Sequence, residues 1–246
     1  MIAEIRGKVK EEDELTGNFF GNLRYISFQK GMKKILRNGI RPIKLQRMID
    51  SVNEQYWDDC LFLWERVKEN DRFTELDARL DFQSVVVGIE VKYKSGLSSE
   101  DGEDWEDRSA EDSINQLSRE ARVLKAVGAG KKKLLLLLAD EFVCADTIKG
   151  INVVDGVQLG YLSWQEVLIQ LKELKELNRF EQLIVSDLID LLEKKGFLRF
   201  SGFELQMPEV LDEDYWQFRI DEDSLTEDSF SFCFHEMVEE QYYEYR

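Results

Sequence analysis

The sequence predicts a layered α/β or α+β protein, and three observations carry that expectation. A helix-period stripe of apolar residues opens the chain. A β-branched hairpin with its turn near Phe82-Gln83-Ser84 follows, and a second helical stripe then leads into the wholly apolar run Leu134-Leu135-Leu136-Leu137-Leu138. Helix, hairpin, helix, buried strand is the order expected of a sheet covered by helices.

Taken in order, Glu12, Leu15, Thr16, Phe19 and Leu23 fall at i, i+3, i+4, i+7 and i+11, one face of a helix over 11–25. Glu12 ends that stripe, and two readings stand for it: a helix cap, or a carboxylate bordering a site. Asn38-Gly39 and Pro42 punctuate the chain. Residues 44–50 and 55–68 then read as helices, the second burying Trp57, Leu61, Trp64 and Val67. After the hairpin, 95–112 is a Ser/Gly/Asp/Glu loop, flexible by composition. A helix is expected over 111–127 with Ile114, Leu117, Ala121 and Leu124 inward, stopped by Gly128-Ala129-Gly130. Lys131-Lys132-Lys133 leads into strand 134–138, whose unbroken apolarity implies burial on both faces. A strand over 157–162 follows, with Ser163 as N-cap of a helix over 164–177. Between 180 and 203, Leu183, Ile184, Leu188, Leu191 and Leu192 mark a last helix, ended by Gly196 and followed by the short strand Phe197-Leu198-Arg199-Phe200. No internal repeat is visible.

With 246 residues, 43% of them hydrophobic, the chain can bury an ordinary core. Its opening residues lack the apolar core of a signal peptide, and its longest strongly apolar run is too short to span a bilayer. Cys60, Cys144 and Cys233 are widely spaced with no Cys-x-x-Cys pair, the pattern of reduced cysteines in a cytoplasmic protein. The single histidine, His235, lies in an acidic tail. Ser-His-Asp, Cys-His and histidine-metal chemistry are therefore poorly supported. Hydrolysis by this chain would rest on carboxylates, lysine and a hard cation.

The net charge of −17 argues at first against a nucleic-acid partner, but it is segregated. Residues 208–246 hold 13 acidic and 2 basic residues, and 100–112 hold 8 acidic residues and Arg108 alone. Outside these two segments the chain is near neutral. Residues 15–49 contain no acidic residue and eight basic ones: Arg24, Lys30, Lys33, Lys34, Arg37, Arg41, Lys44 and Arg47. Such a stretch could follow a phosphate backbone. The tail also carries Trp216, Phe218, Phe230, Phe232, Phe234, Tyr242 and Tyr243, too many aromatics for a purely solvating segment.

Chemistry concentrates in the hairpin. Thr74-Glu75-Leu76-Asp77-Ala78-Arg79-Leu80-Asp81 precedes Val85-Val86-Val87-Gly88-Ile89-Glu90-Val91-Lys92. Alternation puts Glu90 and Lys92 on one face and Ile89 and Val91 on the other. A carboxylate and an ammonium side by side, facing a second carboxylate across the hairpin, suit a divalent metal and a phosphodiester. Glu-x-Lys also occurs at Glu193-Lys194-Lys195 and Glu173-Leu174-Lys175, but in helical patterns where i and i+2 diverge. The bland reading of Glu90 and Lys92 is a solvated pair on an edge strand. Against it, a charged pair ending so apolar a strand is costly unless paired or metal-bound.

These residues resemble the PD-(D/E)XK, or restriction-endonuclease-like, nuclease superfamily. Beyond Glu90-Val91-Lys92, the segment Glu12-Asp13-Glu14-Leu15-Thr16 is similar to the Glu-x-x-Leu-Thr opening of one bacterial branch. Gln116-Leu117 matches a recurrent Gln position, and Tyr161-Leu162-Ser163-Trp164 and Asp187-Leu188-Ile189-Asp190-Leu191-Leu192 resemble later segments of that branch. The resemblance covers roughly residues 10–203. Leu76 stands where the family name has proline, and Asp81 competes with Asp77 for the aspartate, with Asp77 favoured because it follows Glu75-Leu76.

The resemblance implies an α/β, restriction-endonuclease-like core, a mixed central β-sheet flanked by helices, with an extra C-terminal helix; the long acidic tail is a departure from the family pattern. It divides the chain into a nuclease-like domain with helical insertions, 1–207, and an acidic, aromatic-rich segment, 208–246. Asp77, Glu90 and the Val91 carbonyl would hold Mg²⁺ or Mn²⁺, with Glu12 completing the acidic set. Lys92 would orient water or stabilise the charged phosphate. Gln116 would position Lys92 or a phosphate, or else be an ordinary helix-edge amide. The implied activity is metal-dependent hydrolysis of DNA phosphodiesters, with RNA as the alternative, in defence or DNA processing. Arg24, Lys30, Lys33, Lys34, Arg37, Arg41, Lys131 and Lys132 would face the nucleic acid. Nucleases of this kind are often dimeric, so a homodimer is among the partners implied. The tail would occupy the DNA groove or bind a protein. The rival reading is a catalytically inactive protein of the same fold, acting as an interaction or DNA-mimic module.

Overall fold

The computed structural model describes residues 11–69, 72–94, 97 and 115–199. The chain divides into two units, Met1–Phe200 and Ser201–Arg246, and every described residue belongs to the first. The expectations for the acidic tail, Cys233, His235, Ile114, Phe200 and nearly all of the 95–112 loop lie outside the described residues.

The first unit is an α/β structure around an open mixed sheet of five strands: β1 (Leu61–Glu69), β2 (Arg72–Asp81), β3 (Val85–Val91), β4 (Lys132–Ala139) and β5 (Val157–Ser163). They lie side by side in sequence order, with β1, β2 and β3 antiparallel and β3, β4 and β5 parallel. Helices α1 (Glu11–Leu23), α2 (Met32–Gly39), α3 (Gln116–Val127), α4 (Glu141–Ile148), α5 (Trp164–Lys172) and α6 (Arg179–Lys194) cover it.

Register explains the layers. Ala78, Leu80, Val87, Ile89, Val91, Leu134, Leu136, Leu138 and Leu162 share one sheet face and join the residues of α1, α2, α5 and α6 in the main core. On the other face, Val86 and Leu135 pack with Leu117, Ala121 and Leu124 of α3, while Leu137 and Ala139 pack with Cys144 of α4. The five leucines of β4 are all buried, as a strand sandwiched between two apolar layers requires. Gly88 lets α3 approach: a Cβ there would lie 3.2 Å from Leu135 Cδ1 and 3.3 Å from Leu124 Cδ1.

Four helices have side-chain caps. Asn115 accepts from Leu117 N, Asp140 from Phe142 N and Ser163 from Glu166 N, while Asn178 forms a capping box with Glu181. Each cap contributes about 1 kcal/mol.

Several sequence expectations need correction. The helix over 55–68 is a short 3-10 turn, Asp58–Cys60, followed by β1. Trp57, Leu61, Trp64 and Val67 recur near helix period, but Leu61 to Val67 is rich in aromatic and aliphatic residues that pair well with β2, and the pairing decides. The helix over 44–50 is the 3-10 segment Ile43–Met48. The helix over 164–177 stops at Lys172, and Glu176 beyond it takes the left-handed φ of 60°. Residues 197–199 form no strand; Phe197 is instead buried, stacked on Trp164 with centroids 5.5 Å apart. Helix α4 was not expected at all.

Candidate functional site

The candidate residues gather where β2 and β3 run past their last shared pair. Ala78 pairs with Ile89, so one step further Asp77 stands across from Glu90 on the α3 side of the sheet. The Val91 amide, beyond that pair, is taken by the Asp77 side chain instead: Val91 N donates to Oδ2 at 2.8 Å. On its other edge, β2 loses a pair at the same place. Leu63 meets Ala78 and Glu65 meets Leu76, while Trp64 between them turns to φ 53°, the left-handed region a tryptophan rarely enters.

Glu90 is 2% exposed. Its Oε1 receives Lys92 Nζ at 2.5 Å and Gln116 Nε2 at 2.6 Å, the latter from the first residue of α3. Lys92 is fixed by its main chain: its N–H donates to Leu138 O at 2.8 Å, and its carbonyl accepts from Trp164 Nε1 at 3.1 Å. Glu12 reaches over from the first turn of α1, with Oε1 3.3 Å from Lys92 Nζ and Oε2 accepting from Tyr93 N at 3.2 Å. The bland pair on a solvated edge is thus excluded. β3 is a central strand, and Lys92 is 8% exposed.

The structure brings Asp77, Glu90, Lys92, Glu12 and Gln116 together, with the Val91 main chain beside them. Asp81 is elsewhere. Four residues along β2, about 13 Å away at ~3.3 Å per residue, it binds Lys131 Nζ and Arg79 Nη1 at 2.5 Å each. Burial would raise its carboxyl, but those two cations hold it below its ordinary value.

Glu120 is a residue the sequence reading passed over. It lies one turn beyond Gln116 on α3, fully buried, and neither carboxyl oxygen meets a hydrogen-bond donor. Its position was visible in principle: it falls at i+3 from Leu117 and i−4 from Leu124, on the inward stripe.

The electrostatics follow from burying so many carboxyls around one ammonium. Burial pushes Asp77 well above the ordinary carboxylate range and Glu90 adds to it, against the opposing Val91 N–H and Lys92. Glu90 is raised well above its ordinary value by burial and then by Glu120, with Lys92 opposing. Glu120 is pushed up to about 7 by burial, with Asp77 acting in the same sense and contact with Glu90, Gln116 and Lys92 opposing. Burial alone would lower Lys92, but Glu90 foremost, then Glu12 and Asp77, hold it above its ordinary value, so it stays protonated. The cluster lacks positive charge. It must take up protons or a cation.

Among the described residues, no group of three or more His, Cys, Asp or Glu side chains is arranged to hold a metal ion as it stands. The donors present are oxygens, and Mg²⁺ commonly uses only one or two carboxylates, filling its octahedron with water and phosphate oxygens. The pair Asp77 and Glu90 fits that habit.

Most of the expected nucleic-acid contacts are spent within the protein. Lys30 pairs with Glu181, Lys33 donates to Val52 O, Arg37 pairs with Asp50, and Arg41 donates to the carbonyls of Asn38 and Ile40. Arg24 lies over the Tyr25 ring, and Lys131 is held by Asp81. Lys34 and Lys132 have no ion pair among the described residues, and neither do Lys44 and Arg47. Cys60 and Cys144 are free thiols, and no helix among the described residues is long and apolar enough to cross a membrane.

No family model, curated protein or solved structure matches this chain.

Proposed function

We propose that this protein is a metal-dependent nuclease that hydrolyses DNA phosphodiester bonds from a restriction-endonuclease-like core in the cytoplasm. The observation that carries this reading is the convergence of Asp77 and Glu90, from adjacent strands, on one buried cluster beside a protonated Lys92. In this reading the two carboxylates and the Val91 carbonyl would hold Mg²⁺ or Mn²⁺, with Glu12 completing the acidic set. The cation, when bound, supplies Lewis acidity toward the phosphate and lowers the pKa of bound water. Lys92 donates to the attacking water or to a non-bridging phosphate oxygen, and its fixed main chain sets where Nζ can reach. Gln116 orients Glu90 by donating its amide to Oε1. Of the basic residues of 15–49 and 131–133, Lys34, Lys44, Arg47 and Lys132 have no ion pair among the described residues and would serve the DNA backbone.

The test uses the full chain on plasmid, linear duplex, single-stranded DNA and RNA with Mg²⁺ or Mn²⁺, beside Glu90→Ala and Lys92→Ala. Metal-dependent cleavage that both variants lose supports the reading. Cleavage that survives in both assigns the activity to something else.

One observation favours a second reading, a non-catalytic interaction module. Glu90 Oε1 is already occupied by Lys92 and Gln116, so the pair is satisfied without a cation. Mg²⁺ titration separates the two: no saturable binding by the wild-type chain favours the module.

A further inference from the structure

We propose that α3 supplies a further carboxylate to this site: Glu120 is a cation ligand, and the divalent ion sits between Glu90 and Glu120 on the α3 side of the sheet. This inference rests on the nuclease reading for the identity of the ion, but it is carried by a separate observation. Glu120 is fully buried, both its oxygens lack a donor, and it lies against Glu90 and Gln116 at the end of the Asp77–Glu90 pair. A buried carboxyl ordinarily has its hydrogen bonds met, because leaving one without a partner costs several kcal/mol. The amide of Gln116, one turn earlier on the same helix, is given to Glu90.

The bland alternative is a structural glutamic acid that shares a proton with Glu90. That arrangement adds no positive charge to the cluster, where the single ammonium of Lys92 already serves Glu90 and Glu12. One divalent ion between Glu90 and Glu120 answers all three carboxyls at once. Placement on α3 also fits the chemistry. Gln116 and Glu120 are one turn apart on one helix face, so the helix that orients Glu90 also brings the second ligand. The three acidic groups do not converge as they stand. Rotation about the side-chain bonds of Glu120 is the movement that binding requires.

The experiment measures Mn²⁺ binding to the full chain by calorimetry and by the EPR signal of free Mn²⁺, near neutral pH. It compares wild type, Glu90→Ala, Glu120→Gln and Glu120→Asp. Glutamine nearly matches glutamate in size, so folding is retained, which thermal unfolding checks; aspartate keeps the charge but withdraws it by one methylene. The expected result is binding by the wild type, loss with Glu90→Ala, and weakening of at least about tenfold with Glu120→Gln, with Glu120→Asp in between. Wild-type affinity in both Glu120 variants, with loss in Glu90→Ala, overturns the assignment of Glu120 and leaves the nuclease reading intact. Absence of Mn²⁺ binding by the wild type overturns both.

Discussion

Replacing Glu120 by glutamine, in the metal-free protein, isolates the consequence of burying a carboxyl without a donor. Folding raises this group from the ordinary 4.5 to about 7. A carboxyl raised in this way binds more protons folded than unfolded. Its contribution is complete below the unfolded value and is lost as pH rises through the folded one. At about 1.4 kcal/mol per pH unit, the loss amounts to about 3 kcal/mol between about pH 4 and about pH 8. Glu120 is also the chief charged neighbour raising Glu90, so a neutral amide relaxes Glu90 in the same sense. Glu120→Gln should therefore match the wild type at about pH 4 and exceed it by about 3 kcal/mol near pH 8. Urea unfolding in EDTA at several pH values reads this directly. A stability difference that does not change with pH would refute the account of Glu120 as a carboxyl strained by its charge.

Three further outcomes follow from the geometry. Lys92→Met removes the one ammonium among four carboxyls and should destabilise the protein by about 3 kcal/mol near pH 8. The cost shrinks on acidification as the carboxyls take up protons, and pH-resolved urea unfolding checks both. Asp77→Asn should weaken Mn²⁺ binding at least about tenfold, while Asp81→Asn, remote and held by Arg79 and Lys131, should leave the calorimetric affinity unchanged. Gly160→Ala places a Cβ 2.7 Å from Arg41 O and 2.8 Å from Leu45 Cδ1, against backbone that cannot yield cheaply. It should cost about 1–3 kcal/mol by overpacking, read as a lowered urea midpoint.

Legibility tracked the kind of signal. Period-2 alternation over 85–91 gave the correct face for every residue of β3, and unbroken apolarity gave the double burial of β4, because both patterns follow from strand geometry alone. Ser163 and Gly128 were readable as helix ends for the same local reason. β1 was misread because its apolar spacing fits a helix equally well, and only the partner strand β2 settles it. The basic stretch was only partly legible, for another reason. Composition records charge but not the acceptors that folding brings to it, and Glu181, Asp50 and the Val52 carbonyl are distant in sequence or neutral.

The site shows the same division. Which of Asp77 and Asp81 faces Glu90 could not be decided from alternation, since both lie on the same face of β2. The hairpin register decides it, together with Arg79, which stacks on Phe62 at 4.1 Å and draws Asp81 to itself and Glu65. Glu120 was hidden for the opposite reason. Its neighbours Arg119 and Arg122 make the segment look like an ordinary charged helix surface, although its phase matches Leu117 and Leu124. A buried acidic residue in phase with an inward stripe calls for a partner, and neither Glu120 oxygen has a hydrogen-bond partner as it stands. The α3 carboxyl, rather than the more conspicuous Glu-x-Lys, is therefore where the proposed cation site and a closed ion pair make different predictions. If the Glu90–Lys92 pair were the whole design, Glu120→Leu would leave that pair intact and raise stability in the metal-free protein.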